Sequence, residues 1–185
     1  MGRVKGSAIT SRIRYIREHA DEDVYREIRD SLTPENRAWL KKGVLPHEWA
    51  PYSLFIELNV VADFVLGEGD LALCREMGRF GARVNLPTLY RIFMRLGSVQ
   101  YIMRKASRLW TVHYDSGHLE VEELTNKAVR LIIRDFEEPH RAHCLSVMGW
   151  AEGAVELTGA NVRSAFEETC RLDGSDACRL YAKWT

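Results

Sequence analysis

Past Trp110 the spacing of apolar residues changes from three and four to two, and no other feature of the chain limits its fold as strongly. Before that point, Ile9, Ile13 and Ile16, then Val24, Ile28 and Leu32, recur at helical intervals. "TPENRAWLKKG" places Thr33 as N-cap, Pro34 at the first helical position and Gly43 as terminator. After a loop bracketed by Pro46 and Pro51, "YSLFIELNVVADFVLG" is apolar enough for a mostly buried helix. "DLALCREMGRFGARVN", capped by Asp70, then "LPTLYRIFMRLG" and "SVQYIMRKASRLW" predict three more helices. Beyond Trp110, "HLEVEELT" alternates apolar and acidic residues and "AVRLIIRDF" is dense in β-branched ones, which predicts an antiparallel pair.

The helical period returns in "HCLSVMGWAEGAVELTG", with Cys144, Val147, Met148, Ala151, Ala154 and Val155 on one side. "VRSAFEETCRL" and "ACRLYAKW" then flank an Asp-Gly-Ser-Asp turn as a closing hairpin. This order predicts an α+β fold, N-terminal helices packed on a four-stranded antiparallel sheet. Residues 1–185 are enough for one domain with a core of its own. Residues 1–45 form its outer helices, suited to dimerisation, and 46–185 its core. A C2 homodimer is the expected assembly.

Composition removes several function classes. Lysine plus arginine balance aspartate plus glutamate at 26 each, which argues against nucleic acid as a partner. Arg12, Arg14 and Arg17 lie close together and read as a solvated helix face. No run of 18 apolar residues is present, so no membrane span is expected. "MGRVKGSAIT" lacks the apolar stretch of a signal peptide, and four cysteines in such a chain predict a reducing, cytoplasmic setting. No nucleophile with its base, same-face carboxylate pair or phosphate-cradling loop assembles, so no enzymatic activity is expected.

The cysteines ask for more. With a turn centred on Gly174, Cys170 and Cys178 become directly opposed, their Cβ atoms ~5 Å apart. Thiolates that close can share a tetrahedral zinc ion, but they can equally be packed thiols or a cross-strand disulfide. Cys144 joins them if the turn at Pro139 carries the helix start across the hairpin. Cys74 reads as core.

"YDSGHLEVEEL", "CLSVMGWAEGAVELTG" and the C-x7-C hairpin ending in Trp184 resemble the vinyl-reductase-type small-molecule-binding domain. "GDLALCREMGRFGARVNLPTLYRIFMRLGS" through "LWTVHYDSG" looks closer still to an uncharacterised paralogous family expanded in myxobacteria. The resemblance implies a fold shared with haem nitric-oxide sensors and vesicle-tethering subunits, with helices over the sheet enclosing a hydrophobic cavity. It implies a non-enzymatic sensor binding a small hydrophobic or aromatic molecule and signalling through a partner protein; an interaction scaffold is the alternative. In phenol-sensing relatives three cysteines and an acidic residue hold a structural zinc. Their cysteines match Cys144, Cys170 and Cys178, and the acidic position falls near His113, with Glu120, Glu122 and His140 as weaker choices. Phe80, Tyr90, Phe93, Met94, Tyr101, Trp110, Tyr114 and Trp150 would line the cavity, unless they are ordinary core. Haem sensors of this fold carry a Tyr-x-Ser-x-Arg motif; it is not found, and no haem is expected. His19, His47, His118 and His143 read as surface residues.

Overall fold

The computed structural model describes residues 2–96 and 99–185, without the side chains of 87–96 and 100. A short strand β1 (Arg3–Lys5) runs into α1 (Gly6–His19), followed by α2 (Glu22–Asp30) and α3 (Pro34–Lys42). The loop expected between Pro46 and Pro51 instead holds β2 (Trp49–Pro51), which pairs antiparallel with β1, Val4 opposite Ala50. Three-residue strands carry no periodic signal, so the pattern could not show them. Then come α4 (Tyr52–Leu66), α5 (Ala72–Leu96) and α6 (Val99–His113). The two helices expected on either side of residue 87 are one, since α5 continues across Pro87.

The C-terminal part contains β3 (His118–Thr125), β4 (Ala128–Arg134), α7 (Arg141–Glu156), β5 (Val162–Thr169) and β6 (Cys178–Trp184). These strands form one antiparallel sheet in the order β3-β4-β6-β5. The predicted α+β architecture is the one observed. Alternation sorts the two faces of the sheet. Cys178, Leu180, Ala182 and Trp184 point into the core, joined by Val129, Leu131 and Ile133 of β4. The outer face carries cross-strand ion pairs, Arg130 with Glu122 and Glu168, and Arg134 with Glu120 and Asp176.

The apolar stripes of the N-terminal helices are used inside the chain. Ile9, Ile16, Ile28 and Leu32 are almost fully covered and belong to the same continuous core as the sheet. Arg12 departs from the expected solvated face: only 4% of it is exposed, and it points inward from α1.

Helices α5 and α7 touch backbone to backbone. A Cβ on Gly78 would lie 2.1 Å from the Ser146 carbonyl oxygen, and one on Gly149 would lie 1.8 Å from that of Arg75. At that spacing neither position accepts a side chain without separating the helices. Gly149→Ala is therefore expected to cost about 3 kcal/mol. The melting temperature should fall by about 6–12 °C, measured by circular dichroism.

Candidate functional site

Two places in this fold bring chemistry together. The first is the sulfur cluster at the start of α7. Thr169 pairs with Arg179, and Cys170 and Cys178 stand on either side of the turn around Gly174. Gly174 itself adopts φ 86°. The Cys170 and Cys178 Sγ atoms are 3.8 Å apart, and Cys144 Sγ reaches Cys178 Sγ at 3.6 Å. All three thiols are buried and unlinked.

The fourth member is Glu167, which sequence reasoning missed. One ligand atom from each of Cys144, Glu167, Cys170 and Cys178 falls within 4.8 Å of the others. Three residues apart on a regular strand, Glu167 and Cys170 would face opposite sides. The pairing shifts by one residue between Glu167 and Thr169, and this bulge turns both inward. Glu168 is left on the outer face with Arg130. One Glu167 oxygen pairs with Arg141, while the buried Oε1 has no hydrogen-bond partner. The Cys178 thiol is held below its usual range, first by hydrogen bonding from Cys144, while Cys144 is pushed up by the same contact and by burial.

His113 does not belong to this group. It ends α6, where its Nδ1 donates to the Leu109 carbonyl at 2.9 Å. Burial lowers its pKa, so it is held neutral. Of the weaker candidates, Glu120 contacts His118 and Arg134, Glu122 pairs with Arg130, and His140 caps α7 by accepting from the Ala142 N–H.

The second place is a cavity of about 70 Å³ between α1, α4, α5, α6 and α7. Ala106, Leu109, Trp110 and His113 fall on one face of α6, and Ser146, Val147 and Trp150 on one face of α7. Of the expected ligand residues, Trp110, Tyr114 and Trp150 are in the wall. Phe80 instead meets Tyr15 edge-on at 5.3 Å, and Tyr101 is 38% exposed, away from the wall. Tyr90, Phe93 and Met94 lie outside the described side chains. His143, expected at the surface, is buried in a box of rings, its centroid 4.7 Å from Phe136, 4.8 Å from Tyr114 and 5.6 Å from Trp110. His19, His47 and His118 are exposed as expected.

No family model matches the chain, and neither does any curated protein. The resemblance to the vinyl-reductase-type domain and to the myxobacterial family is corrected by what the fold does match. An H-NOX protein from Shewanella oneidensis in the Fe(II)NO ligation state superposes with a TM-score of 0.75 at 14% identity, covering 98% of this chain and 99% of the other. The Fe(II) unliganded H-NOX protein from K. algicida gives 0.72 at 12% identity, covering 98% and 96%. An oxygen-binding H-NOX domain related to soluble guanylate cyclases gives 0.69 at 13%, covering 98% and 95%.

These neighbours also overturn the expectation that haem is foreign to such a chain, because one of the matching structures concerns haem distortion in the same fold. Tyr114-Asp115-Ser116-Gly117-His118 keeps the tyrosine and serine of the haem-sensor pattern, with histidine in place of arginine. The donor chemistry is present, since neutral His113 in the cavity wall keeps Nε2 as an acceptor. The room is not: organic ligand pockets span ~300–1,000 Å³, and this cavity is far smaller as folded. A porphyrin does not fit it in this conformation, and no chemistry is derived through one. At 12–15% identity the likenesses establish the architecture alone, and that architecture is the H-NOX fold.

Proposed function

We propose that the chain is a non-enzymatic small-molecule sensor module, with its ligand site in the cavity walled by α6 and α7 and a structural zinc site at the first turn of α7. The observation that carries this reading is the placement of both features on one helix. Cys144 opens α7 at the sulfur cluster, and Ser146, Val147 and Trp150 follow it into the cavity wall. Three buried thiols and a carboxylate with an unpartnered oxygen form a donor set suited to tetrahedral zinc. A closed set of four protein donors leaves no position for substrate, which makes the metal structural.

The likeness to H-NOX structures supports ligand sensing in the cavity. A bound ligand then acts by changing which surface the module shows to a protein partner, because a ligand shifts an equilibrium only by its differential affinity for two states. No helix among the described residues is long and apolar enough to cross a membrane. Elemental analysis of protein purified without chelator should return one zinc per chain, and Glu167→Ala should lower that stoichiometry. Well under one zinc, with three titratable free thiols in the cluster, would overturn the metal assignment. An absorption spectrum of the same sample reports on the cavity: a Soret band would show that it opens to a macrocycle.

A further inference from the structure

The cavity holds a cation without a counter-charge. Arg12 is 4% exposed, and its guanidinium forms part of the wall. Its hydrogen bonds go to neutral oxygens: Nε to Asn59 Oδ1 at 3.2 Å, Nη1 to Ser11 Oγ at 3.1 Å, and Nη2 to Ser146 Oγ. A guanidinium carries five N–H donors, so these three bonds leave two for a ligand. No carboxylate pairs with it among the described residues. Three half-buried arginines around α7 do have one, Arg75 and Arg79 with Glu152, and Arg141 with Glu167 and Asp173. Burial lowers the Arg12 pKa only to about 10, so it stays charged at neutral pH.

Burying an unpaired charge is costly, and a group kept that way invites an anion. Gly81 makes room for it: a Cβ there would lie 2.7 Å from Arg12 Nη1. The rest of the wall is largely apolar, with Phe55, Leu109, Leu119 and Val147 facing the same space.

We infer that the ligand is a very small carboxylate, of the size of formate, whose oxygens pair with Arg12 among the apolar side chains of α6 and α7. This deepens the ligand-sensing reading and rests on it. A volume of about 70 Å³ holds roughly three non-hydrogen atoms, judged against the six of benzene in a cavity of ~150 Å³. Carboxylate oxygens accept from the guanidinium fork in pairs, a stronger contact than any neutral isostere makes.

The test compares formate with formamide, nearly equal in shape and different in charge, by calorimetric titration of the full chain. Formate should bind at least tenfold more tightly, and Arg12→Gln should equalise the two. Gly81→Ala, which displaces the guanidinium without removing it, should weaken formate at least fivefold and leave formamide unchanged; this variant decides the matter if Arg12→Gln does not fold. Equal binding of acid and amide in the wild type, or a preference for acid that survives Gly81→Ala, would overturn the inference. Xenon, which needs apolar volume and no charge, separates the two readings. Xenon binding without formate binding removes the anion and leaves the cavity; neither binding removes both.

Discussion

Cys178→Ser is expected to lower stability by about 4 kcal/mol, the linkage value for losing a metal present at a thousandfold excess over its dissociation constant. For a chain of this length that is a fall of about 8–16 °C in melting temperature. The residue sits at the centre of the cluster, 3.6 Å from Cys144 and 3.8 Å from Cys170, and also accepts from the Arg171 N–H at 3.4 Å. Packed thiols with no metal predict something different. A buried hydroxyl in place of the thiol would then cost about 1–3 kcal/mol, with no dependence on metal. Calorimetry with and without a strong chelator separates the cases: chelator should bring the wild type down towards the variant and leave the variant unchanged. A wild-type transition insensitive to chelator at every pH would count against the zinc site.

The second large effect is acid sensitivity from His143. Burial, aided by the nearby charge of Arg12 and by His140, drives its pKa down to about 3, and its Nε2 has no hydrogen-bond partner. The unfolded chain restores a value near 6.5. Between those limits the unfolded state binds a proton that the folded state refuses, so stability rises with pH there. The contribution is complete above pH 6.5 and is lost as pH falls from 6.5 towards 3. Going from pH 7 to pH 4 should remove about 3 kcal/mol through this residue. Urea unfolding of the wild type and His143→Phe across that range measures it. The variant should show the shallower slope, because the aromatic box accepts a further apolar ring. Parallel slopes would show that carboxylates elsewhere govern acid unfolding.

Much of the fold could be read from the period of the apolar residues. The change after Trp110 marks where helices stop and the sheet begins, and the C-x7-C spacing marks the β5–β6 turn around Gly174, though the register shifts twice along the strands beyond it. The pair Cys170 and Cys178 was legible for the same reason, whereas Cys144 comes from a helix and joins them only through the turn at Pro139. Glu167 was not, because a bulge is invisible to a strict period of two and reverses the face of every residue beyond it. Arg12 was misread because a charged residue is assigned to water by default, and nothing local marks the one that turns inward. His143 was missed in the same way: its box is built from α4, α6 and the segment before α7, elements far apart in the chain. The family suggested by short motifs is not the one the whole-chain shape matches, because at 14% identity the likeness lies in the architecture and not in local signatures.

The glycine crossing has a mechanical corollary. With Gly78 against Ser146 and Gly149 against Arg75, the two central rods are already at closest approach, and α7 cannot yield towards α5. Anything that swells the chamber is then expected to push outward against α1, α4 and α6, which bring Arg12, Phe55 and His113 to its wall, and to leave the rod rooted in the sulfur cluster in place.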